Sequence, residues 1–183
     1  MLSTKYLPHR EENEETILFI KRHWFIAFKH ILFFILLALL PFILFYLLNN
    51  GVINFDYSNA KSAFLYMGAS IYYLFIWLFF FNLMLDFYLD VWIVTNRRII
   101  SIEQRGLFAR VIAEQRLARV QDVTSDVQGM FPTFFRYGTV HIQTAGAVSR
   151  FVFKEVPNAR EIAKQIIILA NKRKQKEGNQ PPV

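Results

Sequence analysis

The side chains that could do chemistry are few and scattered. Of the four histidines, His23 and His30 flank the start of a long apolar run, His9 lies upstream, and His141 alternates with Gln143 in a β-like stretch. None has the H-E-x-x-H spacing that sets two imidazoles on one helix face for zinc. The chain has no cysteine, which excludes disulfides, thiolate metal sites and cysteine nucleophiles. Asp122 and Asp126 lie four residues apart in "RVQDVTSDV". On a strand they share a face, an arrangement open to acid–base chemistry or to ordinary pairing with Arg119 or a neighbouring strand's arginine. No G-x-S-x-G, P-loop or G-x-G-x-x-G motif occurs. The expectation is a chain without catalytic residues, metal or cofactor, with His141 serving as a sheet residue.

What must position these groups begins with two apolar runs. Ile31 to Leu48 and Ala63 to Leu85 carry no charge, and Trp24 to Phe28 extends the first beyond Lys29 and His30. At about 1.5 Å per helical residue, both match the roughly 30 Å core of a bilayer. The first starts too late and runs too long for a cleaved signal peptide. Pro41 lies inside it, where a kink is tolerated. The loop between them, "NNGVINFDYSNAKS", is nearly uncharged, whereas Lys5, Arg10, Lys21, Arg22 and Lys29 precede the first run and most other cations follow the second. That bias places both termini in the cytoplasm of an inner-membrane, multi-pass protein, with Trp24 at one boundary and Tyr57 and Tyr66 near the other. It also accounts for the net charge of +7 without nucleic acid. Asn82 and Asp86, one turn apart, and Gly68 and Ser70, deeper, are the polar or small positions of the second span. They fit a pore lining or, more simply, an aqueous boundary and close helix packing.

From Asp90 the period changes from helical to about two. "VWIV" leads to a Thr95-Asn96 turn. Ile100 and Ile102 share one face of "RIISIEQRG", and further strands lie near Arg110 to Leu117, Arg119 to Val127, "GTVHIQT" and "RFVFKEV", the last two joined by Ala145-Gly146-Ala147. Consecutive strands with short turns predict an antiparallel meander. "VPNAREIAKQIIILANKRK" then reads as an amphipathic helix, with Asn158 as N-cap, Glu161 three residues on, and a stripe of Ile162, Ile166 and Leu169 flanked by Ala163 and Ala170. The predicted architecture is a two-helix transmembrane hairpin followed by a cytoplasmic all-β barrel of six to seven antiparallel strands, capped by a C-terminal α-helix. Its parts are a cytoplasmic segment 1–23, the hairpin 24–85 with spans 24–48 and 63–85, the barrel domain 86–171, and a basic tail 172–183.

The ordered stretches "VTNRRII", "RLARVQDVTSDVQG", "GTVHIQTAG" and "FVFKEVPNAREI" resemble the consecutive motifs of the bacterial pleckstrin-homology (PH) domain. With the two spans, the chain is similar to the YdbS-like membrane-anchored members. The resemblance implies a PH fold serving as a binding platform, and a larger membrane protein carrying repeated PH domains as a partner. Eukaryotic PH domains grip inositol phosphates near their first hairpin, a place that Arg97 and Arg98 occupy here as a distal basic turn. That turn is short, and five residues at about 3.3 Å each carry it roughly 16 Å from the membrane, so solvated arginines are the simpler reading.

By the same alternation, the returning connections face the bilayer. They are "QRGLFAR", with Arg105, Leu107, Phe108 and Arg110, and "QGMFPTFFRYG", with Phe131, Phe134 and Phe135. Rings beside guanidinium groups suit a headgroup boundary, although the three phenylalanines would equally plug a barrel end. The sequence thus predicts a membrane-anchored PH binding module or scaffold, docking membrane-protein partners or lipid, with a role in envelope assembly or stress tolerance. Homo-oligomers, including a pore or transporter subunit, are the alternative.

Overall fold

The computed structural model describes residues 14–50, 59–145 and 151–178. The chain divides into two compact units: Trp24–Leu85 forms one, and the residues up to His23 together with those from Asp86 onward form the other.

The first unit is a pair of helices, α1 (Trp24–Asn49) and the greater part of α2 (Asn59–Leu89). Both are long and apolar enough to cross a membrane. Pro41 sits inside α1 and has no N–H to give the carbonyl four residues before it. That carbonyl belongs to Leu37, and the Tyr72 hydroxyl of α2 donates to it at 2.9 Å. The adjacent Tyr73 hydroxyl donates to the Ala38 carbonyl at 2.9 Å. Phe34 packs edge-on against Phe80. Two tyrosines in succession therefore hold α2 against the proline turn of α1. Gly68 takes no part, because a Cβ there would meet nothing within 4 Å; the close packing expected at this glycine is not made. Ser70 returns its hydroxyl to the Tyr66 carbonyl of its own helix at 2.9 Å.

Among the described residues, the second unit holds seven strands in two antiparallel sheets and the helix that packs on them. One sheet has the order β1 (Thr16–Lys21), β2 (Val91–Thr95), β3 (Arg98–Arg105), β4 (Ala109–Arg116). The other has the order β5 (Val120–Asp126), β6 (Tyr137–Thr144), β7 (Phe151–Pro157). Between β5 and β6 lies a short helix, α3 (Met130–Phe135), where the sequence predicts only a loop. The long helix α4 (Ala159–Gly178) follows β7, so residues 172–178, expected in the tail, continue the helix.

Strand β1 corrects the expected division of the chain. Residues 16–21, assigned to a separate cytoplasmic segment, pair antiparallel with β2 (Ile20 with Trp92, Lys21 with Val91). The domain is therefore discontinuous in sequence, with the helix pair inserted between its first and second strands. The alternation in "TILFIK" explains why the segment joins the sheet: Ile20 is buried in the core while Ile17 and Phe19 turn outward.

The core lies between the two sheets and α4. Trp92 and Val94 of β2 and Ile99 of β3 meet Val140, Ile142, Phe151 and Phe153 of the second sheet. Trp92 stacks on Phe153, ring centroids 5.4 Å apart. Burial of each such ring contributes about 2–3 kcal/mol. The helix contributes Ala159, Ala163, Ile166 and Ala170, all buried. Their spacing of four, three and four residues defines one face. Ile162 and Leu169, expected at the centre of the stripe, are only partly buried, since three alanines let the helix lie close to the strands. At the helix start Asn158 caps through its carbonyl, which accepts the Glu161 and Ile162 N–H groups, rather than through the expected side-chain box. Gly138 is fixed by a close approach, since a Cβ there would stand 2.5 Å from the Asp126 carbonyl.

Candidate functional site

Two ends of the domain can be told apart by what joins them. At one end the chain crosses into and out of the domain, at His23 and at Asp86. Arg22 forms an ion pair with buried Asp90 and a longer one, 3.6 Å, with Glu155. The other Asp90 oxygen accepts the Gln104 N–H at 2.8 Å, and Asp86 accepts the Gly106 N–H at 3.0 Å. The β3–β4 turn is thus tied to the crossing after α2. Asp86, named with Asn82 as a pore-lining or aqueous-boundary residue, holds that turn.

The other crossing is tied to the start of β6. The His23 ring stacks on Tyr137 with centroids 5.2 Å apart, and the His23 backbone N–H donates to the Glu155 carbonyl at 2.7 Å. Burial lowers the His23 pKa below 6.5, and burial together with the Glu155 charge raises that of Tyr137. Arg136, the residue before Tyr137, closes α3 in the left-handed conformation (φ 55°). Its carbonyl accepts the Asn158 N–H at 2.8 Å, which joins α3 to the start of α4.

The two connections picked out from the sequence therefore stand at this end, one beside each crossing. Phe108 is 98% exposed, and Leu107 beside it is exposed as well. Arg105 and Arg110 flank them on the surface. On α3, Phe131 and Phe134 are exposed, Phe134 at 78%, and no residue of the helix is buried. Phe135 is half-buried with its ring edge-on to Phe134. These phenylalanines are outside the core between the sheets, which Trp92, Phe151 and Phe153 help to fill. Met130, 77% exposed, belongs with the group and was missed by reasoning that looked for rings beside arginines.

The opposite end gathers the turns after β2 and β4 and the end of β6. The Leu117 N–H donates to the Arg97 carbonyl and the Ala145 N–H to the Arg119 carbonyl, both at 2.9 Å; residues 146–150, with the rest of the expected Ala145-Gly146 turn, lie outside the described residues. Arg98 is not a solvated turn residue here. It is buried and forks onto both oxygens of Glu14 at 2.9 Å, with a further bond to Glu114. The Glu14 carboxylate, itself fully buried, raises the Arg98 pKa through these bonds. Thr95 completes the knot, accepting the Arg98 N–H and donating to Glu14, both at 2.9 Å. Arg98 is thus engaged by carboxylates of the chain itself and does not offer its guanidinium to a headgroup. Its partner Glu14 carried no signal in the sequence, because it precedes the whole helix pair.

The remaining candidates are local. Asp122 accepts the Val123 N–H at 2.8 Å and the Thr124 hydroxyl at 3.4 Å. His141 lies opposite Thr124 and Val152 within the sheet. His9 lies outside the described residues. Among the described residues, no three His, Asp or Glu side chains come together as a metal site would require.

A solved DUF1696 family protein with a pleckstrin-homology domain, from Shewanella loihica PV-4, is similar to the chain at 16% identity with a TM-score of 0.36, over 44% of this chain and 70% of that one. A likeness of that size carries no argument. No curated protein matches. The family model for the bacterial PH domain matches residues 19–169. That stretch opens in β1 and closes in α4, so it takes in most of the discontinuous two-sheet domain together with the inserted helix pair, and the chain belongs to the bacterial PH domain family.

Proposed function

We propose that the protein is a membrane-anchored PH binding module whose crossing end lies against the bilayer and docks lipid or a membrane-protein partner there. The two helices serve as the anchor. Only 6% of the α1 window and none of the α2 window is buried, and side chains such as Leu74, Trp77 and Phe42 are more than half exposed. In water that much apolar surface costs about 25 cal/mol per Å2; in lipid it costs nothing. The cationic residues on both sides of the pair support a domain on the cytoplasmic face of an inner membrane, with both termini on that side.

The single observation that carries the docking surface is the exposure of Phe108, Phe134 and Met130 beside the two chain crossings. Apolar side chains this exposed, on a turn and a short helix and flanked by Arg105, Arg110 and Arg136, have the composition of an interfacial patch. A domain already delivered to the membrane has no need of recruitment, so its work is to hold something in a fixed place. A binding role, rather than catalysis, fits this arrangement. A larger protein with repeated PH domains is one partner of the right kind.

Photo-crosslinking residues at Phe108 and at Phe134, irradiated in intact membranes, test the reading. Adducts with lipid or with a discrete membrane protein are the expected result. Capture only within the chain's own domain at both positions would overturn it.

A further inference from the structure

Behind the exposed side of α3 the domain has a pocket of about 320 Å3, lined by Val127, by Pro132 and Thr133 of α3, by Arg136, and by residues 158–161 at the start of α4. Arg136 and Arg160 lie on its wall, and Glu161 offsets one of the two charges. The pocket wall and the apolar patch share one short element: Met130, Phe131 and Phe134 face outward from the helix whose Pro132 and Thr133 form the wall. Arg136 also precedes Tyr137, on which the crossing residue His23 stacks.

We propose that this pocket takes the phosphodiester headgroup of an anionic glycerophospholipid, a ligand class that goes beyond the docking surface and rests on the crossing end facing the bilayer. Two guanidinium groups offer forked donors that match phosphate oxygens. The net positive wall selects an anionic headgroup over a zwitterionic one. The adjoining rings select a lipid over a free phosphate, because a soluble anion gains nothing from exposed phenylalanines whereas a lipid brings its own apolar phase. The site is separate from the Arg97–Arg98 turn, whose buried arginine is held by Glu14.

The test uses the full chain in detergent, titrated with phosphatidylglycerol and in parallel with phosphatidylcholine, with bound lipid counted by native mass spectrometry. Wild type is expected to retain phosphatidylglycerol preferentially. At about fivefold per arginine, the double variant Arg136→Asn, Arg160→Gln should lose roughly 25-fold of that preference, with Asn chosen because it tolerates the left-handed backbone. Arg160→Glu alone, which leaves an acidic residue in a first helical turn where it is stable, should also lose it. Lys172→Gln with Lys174→Gln on the far end of α4 should keep it. Retention of the preference by both arginine variants would overturn the proposal, as would displacement of the lipid by an equal concentration of glycerol 3-phosphate, which would make the ligand a soluble phosphate. A nitroxide on Phe134→Cys in lipid nanodiscs, unique in a chain without cysteine, separates the two readings. A label immersed in lipid while the arginine variants keep their preference sinks the pocket alone. A label left in water sinks the lipid-facing reading of the crossing end, and the pocket that rests on it falls too.

Discussion

Arg97 and Arg98 are neighbours of one residue type at one turn, and the fold gives them opposite duties. Arg98 is enclosed by Glu14, Glu114 and Thr95, while Arg97 engages the next connection through its backbone carbonyl. Truncating Arg98 strands a fully buried carboxylate, a loss of about 3–5 kcal/mol. Arg98→Ala should therefore lower the thermal unfolding midpoint of the domain by roughly 15 °C or more, while Arg97→Ala should leave it within a few degrees. Replacing both partners, Glu14→Leu with Arg98→Met, should recover most of the loss. A scan of the detergent-solubilised protein by circular dichroism distinguishes these outcomes. His23 makes a second prediction at this scale. Burial lowers its folded pKa below the unfolded 6.5, so the unfolded state binds the extra proton first. The stability associated with neutral His23 is complete above about pH 6.5 and is lost as pH falls toward the lowered folded value. His23→Phe, which keeps a ring on Tyr137, should flatten this part of the stability–pH profile; a profile with unchanged slope would refute the assignment.

Among the elements, α1 and α2 are joined by a compensation that neither helix reveals alone. Pro41 releases the Leu37 carbonyl, and Tyr72 takes it up. Removing the hydroxyl should leave an unsatisfied carbonyl on an apolar helix, worth about 1–2 kcal/mol. Tyr72→Phe should therefore weaken the pair, as read from its unfolding in mixed detergent. In the background of Pro41→Ala, which returns an N–H to the helix, the same change should cost much less. An additive double-mutant cycle would show that the bond is idle. The pairing could not be read from the sequence. Tyr72 and Tyr73 look like two more apolar-run residues until the register between the helices is known.

For the whole molecule, the decisive feature is the insertion of the helix pair into the domain. β1 precedes α1 with only Arg22 and His23 between them, and α2 meets β2 at Asp90. Arg22 and Asp90 then pair with each other, so the two crossings are fastened together by the first two strands. Residues 86–183 expressed alone lack β1 and Glu14, leaving the β2 edge open and Arg98 buried without Glu14. That fragment is expected to aggregate. Joining residues 14–23 to Asp86 through a short Gly-Ser linker in place of the helix pair should yield a folded, monomeric domain. Equal dispersion of amide signals in the two fragments' NMR spectra would disprove the dependence on β1.

The sequence by itself determined what is local or periodic: two apolar helices, the strands from β2 to β7, the amphipathic helix after Asn158, and the order of motifs that resembles the bacterial PH domain. Hydrophobic period and turn chemistry are short-range signals, and they survive without knowledge of the fold. Exposed Phe108 and Phe134 were also legible as candidates, because a ring beside arginines on a connection is unusual in composition alone. Tertiary structure decided the rest. The six residues of β1 run almost directly into the first apolar helix, and the strand they pair with comes only after the helix pair in sequence. Arg98 differs from Arg97 through Glu14 and Glu114, and the cationic pocket forms where Arg136 meets the first turn of α4. Each depends on contacts between residues distant in the chain, for which a single sequence carries no period.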